Sequence, residues 1–219
     1  MIKLHPSNEL LCQYVDGQLP ASLSAAIAIH NHMCPQCQSH VSSMTHQQAQ
    51  AIFNNQDSQQ HFDIDFDFNA MCALITQDDT LIEPTTPAHL EINVKGQNFA
   101  LPRALNSMAI SQFSGIGKIS RAKIDLGEGQ VHTHLLYMAP NGEVPQHTHK
   151  GFELTLLLDG HFKDDMGEYN PGDFILLDGQ HRHSPISEHG CLCLTVVSDA
   201  LHFTKGISKL LNPVGKYIY

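Results

Sequence analysis

Apolar residues recur at helical spacing in the first third of the chain. An apolar stripe from residue 7 to residue 17, with Ser7 as a candidate N-cap, predicts a short amphipathic helix. Similar stripes predict helices over 20–32, 35–53 and 66–76. The third stripe is the weakest, and its apolar positions are Val41, Met44 and Ala49 or Ile52. Helices this short bury little area, so we expect the domain to need a staple such as zinc.

The pattern changes from helical to β after about residue 90. Short segments alternate with Gly, Asn and Asp turn signals, and many short strands at this spacing predict a sandwich or barrel. The predicted strands are 118–126, 131–139, 152–158, 173–177 and 191–197. The prediction is an α+β chain of two domains, with a zinc-stapled helical domain at 1–76, a linker at 77–90, a β-barrel at 91–205 and an extension at 206–219.

Cysteine usage and the N-terminus indicate a reducing compartment. Six cysteines in 219 residues are too few for a disulfide scaffold, and four of them form two close pairs, Cys34/Cys37 and Cys191/Cys193. The first residues lack the apolar core of a signal peptide, and no apolar run approaches the ~18 residues of a membrane span. We therefore expect a cytoplasmic protein without a membrane segment.

Negative charge is concentrated in the first 90 residues. They contain one basic residue, Lys3, against nine acidic residues, a net charge of −8, whereas the remainder holds eleven basic and thirteen acidic residues. Such a field repels nucleic acid and favours a basic protein partner, which can itself bind DNA. The simpler interpretation, that the acids only keep a small domain soluble, stays open.

A His/Cys motif near the N-terminus carries the first candidate chemistry. Cys34 and Cys37 form a CxxC motif, and His30 precedes it by four residues, about one helical turn. Pro35 suits the first turn of a new helix, so these side chains are expected to converge at a helix–helix corner. A tetrahedral zinc site needs a fourth ligand, and His5 is the favoured candidate. The motif predicts a closed, structural zinc site.

Other interpretations of this motif are open. A CxxC motif can also be a thioredoxin-like redox pair, although no βαβ pattern surrounds this one. His32 competes with His30 as a ligand, and His40 is also within reach.

A second constellation lies among the predicted strands. His147, His149 and Glu153 stand at even separations, so in extended backbone they share one face of a strand pair. His183 would close the set from a facing strand, and His181 competes with it. Three imidazoles and one carboxylate suit a divalent transition metal such as Zn, Mn or Fe, and ligand type does not choose among these metals.

Two further pairs lie on the predicted strands. His132 and His134 repeat the HxH spacing without a following Glu, which predicts surface or inner-wall residues. Cys191 and Cys193 are expected to share one face of a strand without forming a disulfide. They are either inward thiols that react with oxidants or small buried hydrophobes.

The second constellation resembles the cupin family. The pattern HxHx3Ex6G at 147–160 matches the first cupin motif, and Gly172 followed by His183 matches the second. The second motif has its expected proline and glycine displaced to 178–179, and Ser187 replaces the usual asparagine. The entry to the barrel is therefore expected to differ from that of catalytic cupins.

Both motifs together resemble the ChrR-type anti-sigma factors over nearly the whole chain. The resemblance implies a small zinc-binding domain that holds an extracytoplasmic-function sigma factor inactive, followed by a jelly-roll cupin domain that responds to stress such as singlet oxygen. The residues that match this family are His5, His30, Cys34 and Cys37 for zinc, and His147, His149, Glu153 and His183 for a divalent cupin metal.

The first functional hypothesis is therefore a transcription regulator, not an enzyme. An acidic N-terminal domain fits a basic sigma factor, with no direct contact to nucleic acid and no membrane. The alternative is a metal-dependent cupin dioxygenase acting on a small diketone-like substrate, since an open 3-His-1-Glu site can activate oxygen. Against the enzyme, the sequence offers no obvious catalytic acid or base beyond the ligands.

Overall fold

Helices form where the apolar stripes predict them. They are α1 (Asn8–Val15), α2 (Ala21–Met33), α3 (Pro35–Asn54) and α4 (Phe68–Gln77). The hydroxyl of Ser7 accepts a hydrogen bond from the N–H of Leu10 and caps α1, as predicted. On α3, Val41 and Met44 pack against the core whereas Ile52 is exposed, so the apolar stripe of this helix ends early.

The coordinates are a computed structural model that describes residues 1–54, 67–77, 90–149, 151–198 and 201–203. For His149 and for Leu201–Phe203 only the backbone is described. Most of the predicted linker and the whole predicted C-terminal extension lie outside these residues. No helix within the described ranges is long and apolar enough to span a bilayer.

Short antiparallel strands make up the rest of the described chain. They are β1 (Glu91–Val94), β2 (Gln97–Ala100), β3 (Ser114–Ile116), β4 (Ile119–Ile124), β5 (His132–Met138), β6 (Gly142–Glu143), β7 (His147–His149), β8 (Glu153–Gly160), β9 (Phe162–Asp164), β10 (Gly167–Tyr169), β11 (Phe174–Leu177), β12 (Ile186–Ser187), β13 (Cys191–Val197) and β14 (Leu201–Phe203). The five predicted strands are confirmed as β4, β5, β8, β11 and β13.

The strands pair into one large sheet and several smaller ones. The large sheet has the order β11-β8-β13-β5-β4-β3, and a second sheet has the order β10-β9-β12-β6. Two further pairs, β1-β2 and β14-β7, complete the described strands. Every residue of the central strand β13 is buried, because both faces of the large sheet are covered.

The two faces of the large sheet belong to two different hydrophobic clusters. Cys191 and Cys193 of β13 point into a cluster with residues of the second sheet, such as Phe162, which forms the barrel interior. The alternate residues Leu192 and Leu194 belong to the other cluster, which also contains buried residues of α1 and α2. The period of two along β13 therefore separates the barrel interior from a core shared with the N-terminal helices.

Helix α2 is bound to the barrel at both of its ends. At its N-terminus, the carboxylate of Glu128 accepts hydrogen bonds from the N–H of Ser22, at 3.1 and 3.3 Å for its two oxygens. A negative charge at this position complements the helix dipole and caps an otherwise unpaired donor. At its C-terminal end, the Nδ1 atom of His30 lies 2.7 Å from the carbonyl oxygen of Gly172.

The backbone packs into two compact units. One comprises Met1–Thr45 with His89–Tyr219, and the other comprises His46–Ala88. The first unit unites the N-terminal helices and the barrel through the shared core. The predicted boundaries, with a helical domain at 1–76 and a barrel at 91–205, stay a prediction.

We expect Gly172→Ala to destabilise the protein more than Gly96→Ala. Both glycines have left-handed backbone, with φ of 93° and 86°, so alanine is strained at each by about 1–2 kcal/mol. A Cβ at Gly172 would also lie 2.3 Å from Cδ1 of Ile2, whereas the space at Gly96 is open. Thermal denaturation should show a lower Tm for Gly172→Ala. Equal Tm values would mean that the side chain of Ile2 moves aside without lowering the stability of the protein.

Candidate metal centres

Four N-terminal side chains converge at the corner between α2 and α3. The Nε2 atom of His30 lies 3.3 Å from Sγ of Cys37, and Nδ1 of His5 lies 3.5 and 3.4 Å from Sγ of Cys34 and Cys37. Potential ligand atoms of all four lie within 4.8 Å of one another. Met33 ends α2 and Pro35 begins α3, so Cys34 occupies the junction itself.

The donor atoms of this cluster fit a zinc ion. A tetrahedral zinc with Zn–S bonds of ~2.3 Å and Zn–N bonds of ~2.0 Å holds sulfur and nitrogen about 3.5 Å apart, and the observed N to S distances are 3.3–3.5 Å. A carbonyl oxygen can only accept, so Nδ1–H of His30 donates to Gly172 and Nε2 carries the lone pair that faces the thiols.

Burial also sets the protonation of this cluster. Desolvation lowers the pKa of His30 despite the hydrogen bond to Gly172, which favours the neutral imidazole that a metal requires. Desolvation and the neighbouring thiol of Cys34 raise the pKa of Cys37 to about 11. Without a cation, the Cys37 thiol keeps its proton, so metal binding here releases protons.

The competing histidines lie outside this cluster. His32 and His40 are both exposed on their helices and are not among the side chains that converge. The choice of His30 over His32 follows from the helical period, because the two side chains point to opposite sides of α2.

The second constellation converges inside the barrel. His147 and His183 face each other across an isolated antiparallel bridge, and their Nε2 atoms lie 3.0 Å apart. Oε2 of Glu153, at the start of β8, lies 3.1 Å from Nε2 of His183. All three residues are buried. His149 lies on β7, but its side chain is outside the described part of the structure.

Three acceptor atoms converge in this second cluster. Nδ1–H of His147 donates to the carbonyl of Pro145 at 2.9 Å, and Nδ1 of His183 lies 3.3 Å from Oδ2 of Asp164. Both Nε2 lone pairs therefore point at each other and at a carboxylate, an arrangement that a cation or proton must relieve. Ligand bonds of ~2.1 Å at right angles separate donor atoms by about 3.0 Å, so a divalent metal fits the site.

Charge around His183 distinguishes it from His181. Burial lowers the pKa of His183, but the carboxylates of Asp164 and Glu153 outweigh burial and raise it to about 9. His181 is exposed and bonds the nearby Asp178 at 2.7 Å. His183 therefore belongs to the cluster and His181 does not.

The comparisons with known proteins agree with this architecture. Residues 119–200 match the ChrR Cupin-like domain family. The chain is 24% identical to the Anti-sigma-E factor ChrR of Cereibacter sphaeroides over 97% of both proteins. The crystal structure of Rhodobacter sphaeroides SigE in complex with the anti-sigma ChrR matches with a TM-score of 0.62 and 22% identity, over 90% of this chain and 99% of that one.

The resemblance indicated by the motifs is thereby confirmed. The fold is a helical N-terminal region followed by a sheet-rich ChrR cupin-like domain, as predicted. The His/Cys cluster of the helical region is compatible with zinc.

The interior of the ChrR cupin-like domain encloses a small cavity of about 30 Å³. Cys193 lines it together with the three converging residues of the second cluster. Both Cys191 and Cys193 are buried and unpaired, which confirms that they form no disulfide in this structure. His134 lies on β5 and is also buried, and burial lowers its pKa to about 4. That these thiols react with oxidants stays a prediction.

Sequence reasoning missed the partners that orient the ligands. Asp164 is the last residue of β9 and accepts hydrogen bonds from the N–H groups of Met166 and Gly167, so its sequence context indicates only a turn residue. Pro145 and Gly172 act through their backbone carbonyls, which no side-chain pattern marks. The first cupin motif ends near Asp164 and is the one sequence signal close to this residue.

We expect Cys37→Ser to lower the zinc content of the purified protein by about one equivalent per chain, because a tetrahedral site loses one of its four donors. Cys12→Ser is the matched control, since Cys12 is an exposed cysteine of α1 outside the cluster. Zinc is measured by atomic emission in both variants. Retention of zinc by Cys37→Ser at the level of Cys12→Ser would contradict the ligand set.

Proposed function

We propose that this protein is an anti-sigma factor. It binds and inhibits an extracytoplasmic-function sigma factor through its N-terminal zinc region and releases it when the cupin domain responds to an oxidant such as singlet oxygen. The observation that carries the proposal is the joint presence, on one chain, of the N-terminal His/Cys cluster and a ChrR cupin-like domain. A named anti-sigma factor aligns with this chain over 97% of its length.

The surface of α4 supports a protein partner. Phe68, Met71, Cys72 and Ile75 follow the i, i+3, i+4, i+7 spacing of an apolar helix face, and no residue of Phe68–Gln77 is buried. Phe68 and Ile75 are 63% and 64% exposed. An amphipathic helix with an uncovered apolar face is suited to bind in a groove of another protein.

Charge supports the same kind of partner. The net charge of −8 in residues 1–90 would attract a basic protein and raise its association rate. Sigma factors act on RNA polymerase, so this function places the protein in the cytoplasm.

The enzyme alternative receives less support. A cavity of about 30 Å³ has room for water, whereas pockets for organic ligands typically hold ~300–1,000 Å³. The matched relative is named as an anti-sigma factor, which supports a regulator.

The two metals would serve different purposes. His5, His30, Cys34 and Cys37 would hold a structural zinc that staples the corner between α2 and α3. His147, His149, Glu153 and His183 would hold a divalent metal in the cupin domain. When bound, that metal supplies a Lewis-acidic centre where an oxidant can react. The residues of the chain orient the ligands and exclude bulk water from the site.

We expect Ile75→Glu to weaken sigma-factor binding about ten-fold or more, because it places a charge in the apolar face of α4. Asn69→Glu adds the same charge to the same helix outside that apolar spacing and should bind as the wild type does. Calorimetry with full-length protein and a purified extracytoplasmic-function sigma factor, starting with one encoded beside this gene, measures the effect. Absence of binding to any such sigma factor would contradict the proposed function.

We expect oxidant-driven release to depend on the cupin cluster. Photosensitised singlet oxygen should dissociate the complex of sigma factor and wild-type protein, while His183→Ala should leave the complex mostly intact. His181→Ala is the control, because that imidazole lies nearby but outside the cluster. Size-exclusion chromatography before and after illumination measures release. Equal release from all three proteins would show that the cupin cluster is not the sensor.

A further inference from the structure

One segment of the barrel contacts both candidate metal clusters. It runs from Asp164 at the end of β9, through β10, to Asp173 before β11. Its first residue contacts His183 of the cupin cluster, and the carbonyl of Gly172 contacts His30 of the N-terminal cluster. Fewer than ten residues therefore separate the partners of two clusters that lie far apart in the sequence.

At the cupin end, the carboxylate of Asp164 orients a ligand. Its Oδ2 atom lies 3.3 Å from Nδ1 of His183, and its side chain is only 1% exposed. The hydroxyl of Tyr169 donates to Oδ1 of Asp164 at 3.0 Å. Such a carboxylate sets the tautomer and ring orientation of the imidazole that it bonds, which strengthens the imidazole as a metal ligand.

At the other end, the turn orients two N-terminal ligands. The carbonyl of Gly172 accepts from Nδ1–H of His30 at 2.7 Å. The fully buried carboxylate of Asp173 accepts from the N–H groups of Lys3 and Leu4 at 2.6 and 3.0 Å, which holds the arm next to His5.

The connection between the two ends is short and packed. Tyr169 pairs with Phe162 across the β9–β10 hairpin, and their rings lie 4.7 Å apart. The N–H of Asn170 donates to Oδ2 of Asp173 at 2.8 Å, and the N–H of Gly172 donates to the carbonyl of Leu157 at 2.8 Å. These contacts connect Asp164 and Tyr169 to the Gly172 carbonyl through close-packed groups, which do not move independently.

We propose that Asp164, Tyr169 and the 170–173 turn are positioning residues shared by both metal clusters, and that they couple the metal affinities of the two sites. The inference rests on the metal assignments made under the proposed function. It adds a way in which metal binding at one site regulates the other site. Loss of metal from the cupin cluster frees His183 and Asp164 to rearrange, which weakens the contact of Gly172 with His30. Coupling of this kind is reciprocal, so N-terminal zinc also raises the affinity of the cupin cluster.

The test follows the thiols of the N-terminal cluster in the full-length, zinc-loaded protein. Zinc protects Cys34 and Cys37 from iodoacetamide, and peptide mass spectrometry reads the alkylation rate of each cysteine separately. His147→Ala removes a candidate cupin ligand that lies outside the connecting segment, residues 164–173. We expect it to speed alkylation of Cys34 and Cys37 about five-fold or more, within the usual range of coupling between sites.

Variants of the connecting segment then test whether the coupling between the two metal sites runs through this segment. In a double-mutant cycle, the effect of His147→Ala on Cys34 and Cys37 should largely disappear when Tyr169→Phe is present. Tyr137→Phe is the matched control, since it removes a buried tyrosine hydroxyl that bonds Gln97 instead. Asp164→Asn should by itself speed alkylation of the two cysteines, whereas Asp178→Asn, which breaks the exposed contact with His181, should not.

The alkylation rates of Cys191 and Cys193 show whether a variant destabilises the barrel as a whole. Both cysteines are buried in its interior, so a variant that destabilises the whole barrel would speed their alkylation as well. The proposal requires faster alkylation of Cys34 and Cys37 with unchanged rates at Cys191 and Cys193. It is overturned if all four rates rise together, or if the Tyr169 and Asp164 variants behave like their controls. Sigma-factor binding is absent from this assay, so loss of coupling with intact binding would overturn this inference alone.

Discussion

The buried hydrogen bond between His30 and the carbonyl of Gly172 joins the N-terminal cluster to the barrel. It directs the Nε2 lone pair of His30 toward the thiols, while burial lowers the pKa of His30 and keeps the imidazole neutral. A buried imidazole that lost this partner would cost about 1–3 kcal/mol. The orientation of a candidate zinc ligand therefore depends on a turn more than a hundred residues later in the chain.

The large sheet explains why this contact exists. Its strands present one set of side chains to the barrel interior and the alternate set to α1 and α2. The cupin cluster and the thiols of β13 lie on the first face, while the N-terminal corner packs over the second. Because close-packed interiors transmit displacement, a sheet with a candidate metal cluster on each side can couple one cluster to the other.

Much of this arrangement is local and was predictable. Helices α1 to α4 follow apolar stripes, and the strands of the large sheet follow alternating segments bounded by turn residues. Spacing also predicted which side chains meet, since His30 lies one turn before Cys34 and His147 stands opposite His183. The predicted boundary of the helical domain at 1–76 stays a prediction, and residues 1–45 share their core with the barrel.

By itself, the sequence determined the types of element, the candidate side chains of the two clusters and the acidity of the N-terminal region. These depend on periods of 3.6 and 2 residues and on side-chain chemistry, which can be read position by position. Only the tertiary structure decided that α2 is capped by Glu128, that Asp164 orients His183 and that one segment, residues 164–173, contacts both clusters. Backbone carbonyls and turn carboxylates carry these contacts. Their partners are set by how distant segments pack, and no residue pattern along the chain records that packing.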